Sequence, residues 1–153
     1  MIELRISRIE RGGRRPALPA YQTAGAAAFD LAAFLDAPLT IPAGGRALVP
    51  TGLRVAVPAG YGGFVFARSG LSVRSGIAMA NGVGLVDSDY RGELLVPVVN
   101  LADEAFTVTD GMRVAQFLLL ETPRAVFAEC ADLGETARGA QGFGSTGTGA
   151  RPC

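Results

Sequence analysis

Four short clusters in this sequence combine residue types that can act on a phosphorylated ligand. In Ala67-Arg68-Ser69-Gly70-Leu71 an apolar strand pattern runs into a polar helix start, with Ser69 expected to cap a short helix over 70–74. Free amides at a helix N-terminus, a hydroxyl and a guanidinium together cradle phosphate oxygens, although taken alone these residues also make an ordinary cap. In Asn81-Gly-Val-Gly-Leu-Val-Asp-Ser-Asp-Tyr-Arg-Gly92, the Asn-Gly pair and Gly84 predict a hairpin whose backbone a flat ligand can approach closely. Asp87 is expected in the same strand and Tyr90 offers an aromatic face. The plainer reading of Asp-Ser-Asp is a β-turn with Asx caps.

The third cluster, Ala24-Gly-Ala-Ala-Ala-Phe-Asp-Leu31, sets a single carboxylate, Asp30, in an apolar strand. A charge so placed needs a partner, which an Arg or a bound cation can supply. The fourth is Arg138-Gly-Ala-Gln-Gly-Phe-Gly-Ser-Thr-Gly147. A lone Phe143 among glycines gains about 1–3 kcal/mol by stacking on a base. The Gly144 amide, Ser145 and Thr146 after it suit a terminal phosphate. A disordered tail is the alternative.

Composition decides which groups must do the work. The 153 residues contain no His, and the 14 basic residues, all Arg, equal the 14 acidic ones. Acid–base chemistry therefore falls to carboxylates, and phosphate binding to Arg and backbone amides. A formal net charge of zero provides no field toward nucleic acid or membrane, so neither is an expected partner. No apolar run of about 18 residues is present to cross a bilayer. Met1-Ile-Glu-Leu-Arg5 lacks the apolar block of a signal peptide, so a cytoplasmic location is expected. Cys130 and Cys153 have no metal-type spacing and are expected to be free thiols in a reducing compartment.

The elements that must position these residues read as strands. Ile2, Leu4 and Ile6 alternate with polar neighbours, as do Leu53, Val55 and Val57. Runs at 64–66, 94–99, 106–108 and 114–119 read as further strands, some buried on both faces. Pro97 belongs at a bulge or an edge, since it cannot donate to a ladder. Gly, Pro, Asn and Asp punctuate these runs at short intervals, which predicts an all-β sandwich or jelly roll. From Gly134 the composition shifts to a Gly-rich stretch, expected as a flexible arm that orders on another surface.

In order and spacing, the segments 24–32, 67–71, 81–94, 111–118 and 138–147 resemble the five motifs of the homotrimeric dUTPase family. Asp87-Ser-Asp-Tyr-Arg-Gly92 and Gly142-Phe-Gly-Ser-Thr-Gly147 are the most specific matches. The resemblance implies a jelly roll of the distorted-barrel, β-clip type. It implies a β domain over 1–136 and an arm over 137–153, exchanged between three subunits with a site at each boundary. It also implies hydrolysis of dUTP to dUMP and pyrophosphate with Mg²⁺, which limits uracil in DNA and supplies dUMP for thymidylate synthesis.

Carried over by motif position, Asp87 would activate the attacking water. Tyr90 would lie under the deoxyribose, and Asn81 with the backbone of Gly84, Leu85 and Val86 would read uracil. Arg68, Ser69, Gly70 and Gln116 would hold phosphates, and Asp30 would reach the metal through water. Arg138, Phe143, Gly144, Ser145 and Thr146 would close over the substrate from another subunit. Residue 87 and the loop at residue 68 are thus expected in one crevice.

Ala26 and Phe29 replace frequent hydroxyl residues, and Ala140-Gln141 stands where an acid is common. Altered affinity or arm dynamics is the expected consequence. The competing readings are a dCTP deaminase-like enzyme, a nucleotide-sensing dUTP-binding trimer and a structural jelly roll.

Overall fold

The computed structural model describes residues 2–142 and 149. Its strands are β1 (Arg5–Arg8), β2 (Phe29–Ala32), β3 (Leu39–Ile41), β4 (Arg46–Pro50), β5 (Leu53–Ala56), β6 (Tyr61–Ala67), β7 (Ile77–Met79), β8 (Gly84–Val86), β9 (Leu95–Asn100), β10 (Phe106–Val108) and β11 (Arg113–Glu121). One helix, α1 (Ser69–Ser75), lies between β6 and β7. Every strand pairing is antiparallel. The sheets run β2-β11-β6-β8, β4-β9-β7, β1-β5 and β3-β10. This is the all-β jelly roll expected from the strand spacing.

Alternation along the strands builds one core. Phe29, Leu31, Val65, Ala115 and Phe117 point inward from the four-stranded sheet, and Val49, Ile77, Met79, Val96 and Val98 from the three-stranded one. Each such side chain contributes about 1.5–3 kcal/mol by leaving water. The other faces are apolar as well. Leu118, Phe64 and Leu85 form one cross-strand row on the outer face of the larger sheet. Leu85 is 61% exposed there, and Leu48 is 60% exposed on the smaller sheet.

Three local expectations change. Pro97 sits in the central strand β9, not in an edge strand. Its carbonyl accepts the Ala80 amide just past the end of β7, so its missing N–H falls where that ladder has already stopped. Ser69 is the first helical residue and caps nothing: Arg68 is the N-cap, without a side-chain cap bond. Finally, Asn81-Gly82 does not close a hairpin. β7 pairs with β9 whereas β8 pairs with β6, so the turn carries the chain from one sheet to the other.

Beyond β11, residues 122–142 form no strand or helix, and Val126, Phe127 and Leu133 are each more than 90% exposed. Phe117 lies at the opposite extreme, fully buried and stacked on Phe29 at 5.0 Å between ring centroids. Phe117→Ala is expected to lower unfolding free energy by about 3–5 kcal/mol, measured by chemical denaturation.

Candidate active site

The predicted residues fall into two groups, one alongside β8 and one just past the last residue of β6. In the first, Asn81, Gly84, Leu85, Val86, Asp87 and Tyr90 line one cleft of roughly 220 Å³, floored by Val65, Met79 and Val96. Gly84 lets the chain lie close over the core, since a Cβ there would come within 3.0 Å of Val65 Cβ. Asp87 stands just past the end of β8, exposed, not within the strand as expected. The strand stops there because the chain turns: the Tyr90 amide donates to the Asp87 carbonyl at 3.2 Å. The Tyr90 hydroxyl donates to the Glu93 carbonyl at 2.9 Å, and its ring occupies the space that any side chain on Gly92 would need. Carboxylate and aromatic face are therefore fixed by a single turn.

In the second, β2 and β11 bring Asp30 opposite Gln116, which in turn faces Phe66 on β6. Arg68 and α1 follow immediately after the last residue of β6. The Asp30 side chain is only 8% exposed and is held on both oxygens. Arg68 Nε donates to Oδ1 at 3.1 Å and Arg113 Nη1 donates to Oδ2 at 2.9 Å. Of the two partners left open by the sequence, the structure supplies Arg, twice over. Arg68 spends a further N–H on the Arg113 carbonyl at 3.0 Å. A guanidinium has five N–H groups, so three remain on a cation whose direction is already set. The amides of Ser69 and Gly70 lie in the first helical turn, where no intrahelical acceptor exists.

Arg113 was not singled out from sequence. The signal was available, since a carboxylate inside an apolar strand demands a cation and β11 carries the sole Arg of the neighbouring strand. Glu93 was missed too, as a charge in a loop that gives no spacing cue. Arg138 lies in the exposed segment beyond β11, its carbonyl accepting the Gln141 amide at 3.2 Å, and it joins neither group. Phe143, Gly144, Ser145 and Thr146 lie outside the described residues.

The two groups do not meet within one chain. Val86 is opposite Gly63, which sets Asp87 near Gly62, while Arg68 follows Ala67 at the far end of the same strand. Six extended residues span roughly 20 Å. Among the described residues no three His, Cys, Asp or Glu cluster as a metal site, so Asp30 is a lone carboxylate at the phosphate-type end. No described helix is long and apolar enough to cross a membrane.

Fold and geometry define a jelly-roll protein with a cleft beside β8 and, past the end of β6, two guanidiniums on one nearly buried carboxylate. A family profile described as dUTPase matches residues 15–147. The chain is 53% identical over 138 residues to the deoxyuridine 5'-triphosphate nucleotidohydrolase of Desulfitobacterium hafniense, covering 90% of this chain and 91% of that one. It is 54% identical over 132 residues to the enzyme of the same name from Rhizobium leguminosarum, covering 85% of each. The dUTPase of Staphylococcus bacteriophage 80alpha, solved with dUPNHPP, superposes with a TM-score of 0.85 at 19% identity, over 97% of this chain and 100% of that one. The Streptococcus mutans dUTPase gives a TM-score of 0.66 at 30% identity, over 72% and 89%. The chain belongs to the dUTPase family.

One titration follows from the turn that leads into Arg113. Asp110 Oδ1 accepts the Leu35 amide and Oδ2 accepts from Arg14, each at 2.8 Å. The Leu35 amide first, and Arg14 after it, hold this carboxyl below the usual carboxylate range. A depressed folded value means that its contribution is complete above the unfolded pKa of about 4 and is lost as pH falls through the folded one. Asp110→Asn is expected to flatten the acid limb of the stability–pH curve below about pH 4 while changing little of its slope near neutrality. Urea midpoints across pH 2–7 check it.

Proposed function

We propose that this chain hydrolyses dUTP to dUMP and pyrophosphate at sites assembled between the subunits of a homotrimer. The observation that carries the reading is the separation of Asp87, beyond the Gly63–Val86 pair, from Arg68, just past the other end of β6. A water-activating carboxylate and a phosphate-binding guanidinium roughly 20 Å apart along one strand serve one α-phosphate only if different copies supply them. The outward apolar row of exposed Leu85 and half-buried Phe64 and Leu118 supports such an assembly, since apolar surface left facing outward marks association surfaces. The structural relative that was solved with dUPNHPP supports the ligand class.

The chemistry needs little covalent help. Water attacks the α-phosphorus, an O–P bond forms, and the bond to the pyrophosphate oxygen breaks with its electron pair leaving on pyrophosphate. Asp87 orients the water and takes its proton. Arg68 and the Ser69 and Gly70 amides, with Gln116 nearby, hold the phosphates and stabilise charge moving onto the leaving oxygens. Asn81 and the backbone of Gly84, Leu85 and Val86 read the uracil edge in a cleft too close-fitting for a 5-methyl group. Tyr90 occupies the space of a 2′-hydroxyl.

With both oxygens taken by guanidiniums, Asp30 would reach a magnesium only through water, the metal being held mainly by the triphosphate. Such an ion would supply neutralisation of phosphate charge. The 137–153 arm, with Arg138, Phe143, Gly144, Ser145 and Thr146, closes over a neighbour's substrate, and the enzyme works in the cytoplasm.

Asp87→Asn is expected to keep nucleotide binding and lose turnover by roughly 10²–10⁴-fold, read as pyrophosphate release with dUTP and Mg²⁺. Parental turnover in that variant removes Asp87 as the base. Sharing of the site has its own test. Arg68→Ala and Asp87→Asn subunits, each inactive alone, should recover about a quarter of parental activity when unfolded together and refolded at equal ratio, because a random trimer pairs an intact Arg68 with an intact Asp87 at one boundary in four. A mixture as inactive as its parents refutes the shared site.

A further inference from the structure

Arg11, Gly12, Gly13 and Arg14 form a tight reversal that lies before the residues matched by the family profile. The amides and carbonyls of Arg11 and Arg14 bond each other at 3.0 and 2.9 Å. Gly12 and Gly13 both have positive φ, +54° and +74°, the combination a two-residue turn of this hand requires. Its two arginines diverge about the Phe34 ring, with guanidinium carbons 5.5 and 5.1 Å from the ring centroid. Arg14 engages Asp36 and Asp110. Arg11 reaches the other way, donating to the Phe34 carbonyl at 3.2 Å and pairing with Glu93.

Glu93 joins that turn to the cleft. Its Oε1 accepts the Gly52 amide at 2.8 Å, its other oxygen takes Arg11, and its own carbonyl receives the Tyr90 hydroxyl. The pair is largely sheltered, with side chains 30% and 16% exposed, so it is screened less than a surface pair. Without Arg11, the Glu93 side chain is held on one side only, by the Gly52 amide, next to the carbonyl that receives the Tyr90 hydroxyl.

We infer that Arg11 and Glu93 are positioning residues for Tyr90, setting the pose of its ring and thereby the discrimination between deoxyribose and ribose nucleotides. This rests on the proposal that Tyr90 occupies the space of a 2′-hydroxyl. Arg11 is not among the residues lining the cleft, whereas Glu93 lines it beside Tyr90; both act through the Tyr90 turn.

The test compares kcat/KM for dUTP and UTP, with thermal unfolding followed in parallel, in the full chain. Arg11→Met keeps the apolar stem over Phe34 and removes the charge. Its preference for dUTP over UTP is expected to fall about tenfold, mainly through a lower KM for UTP. Arg11→Lys should recover part of that preference. Glu93→Gln, which keeps an acceptor for the Gly52 amide, should lose preference in the same direction, and it decides the matter if Arg11→Met does not fold. A lowered unfolding midpoint with parental preference in the folded variants overturns the inference, because it leaves the pair a structural role alone. Tyr90→Ala separates the two levels. If it lowers the preference while Arg11→Met and Glu93→Gln do not, the inference fails and the seat stands; if Tyr90→Ala leaves the preference unchanged, both fall.

Discussion

An extended strand cannot bring its own ends together, and β6 makes that limit decisive. Its seven residues, Tyr61–Ala67, pair with β11 along their whole length on one side, and Gly63–Val65 pair with β8 on the other, so the strand cannot shorten without breaking a ladder. Asp87 emerges beside its first residues, and Arg68 follows its last. The sheet thus positions each half-site rigidly and keeps the halves of one chain apart. Rigid elements of this kind place functional groups more accurately than loops do. In the proposed trimer, a complete site would draw on a second copy, and assembly would become part of the chemistry.

The cradle shows how a chain without His and Lys prepares charge. Asp30 is nearly buried, and a buried carboxylate is costly unless several donors compensate it. Arg68 and Arg113 do so on separate oxygens, so the carboxylate aims two cations that would otherwise sample many rotamers. The ordering entropy of Arg68 is met during folding, not at binding, which is the physical meaning of a preorganised site. An Arg is better suited to this double duty than a Lys, because its planar fork can serve the carboxylate with one edge and a ligand with the other.

Much of this was legible in the residues. Periodicity located most strands, since alternation reports the buried face directly, and the 106–108 strand appears with those bounds. The six cleft residues were readable because they are contiguous in sequence, so local turn chemistry brings them together. Errors arose where the partner of a segment is distant in sequence. Asn81-Gly82 carries the chemistry of a hairpin turn, yet its flanking strands prefer β9 and β6, and only tertiary pairing reveals that. Pro97 obeys the rule that it cannot donate, but satisfies it at the end of a neighbouring strand instead of at the edge of a sheet. The separation of Asp87 from Arg68 could not be read from motif order at all, because order along a chain says nothing of distance across a strand.

Leu85 connects assembly to the cleft more closely than either feature suggests alone. Its backbone belongs to the segment that borders the cleft, while its side chain lies in the outward row with Phe64 and Leu118. In the proposed trimer, covering that row would remove apolar surface from water at about 25 cal/mol per Å². The same contact would hold β8 against β6 at the point from which Asp87 emerges. In that trimer, association energy and the placement of the proposed base would act through one three-residue strand. A chain that buried this row internally would fold as well, but it would lose the coupling by which joining the subunits also firms the cleft.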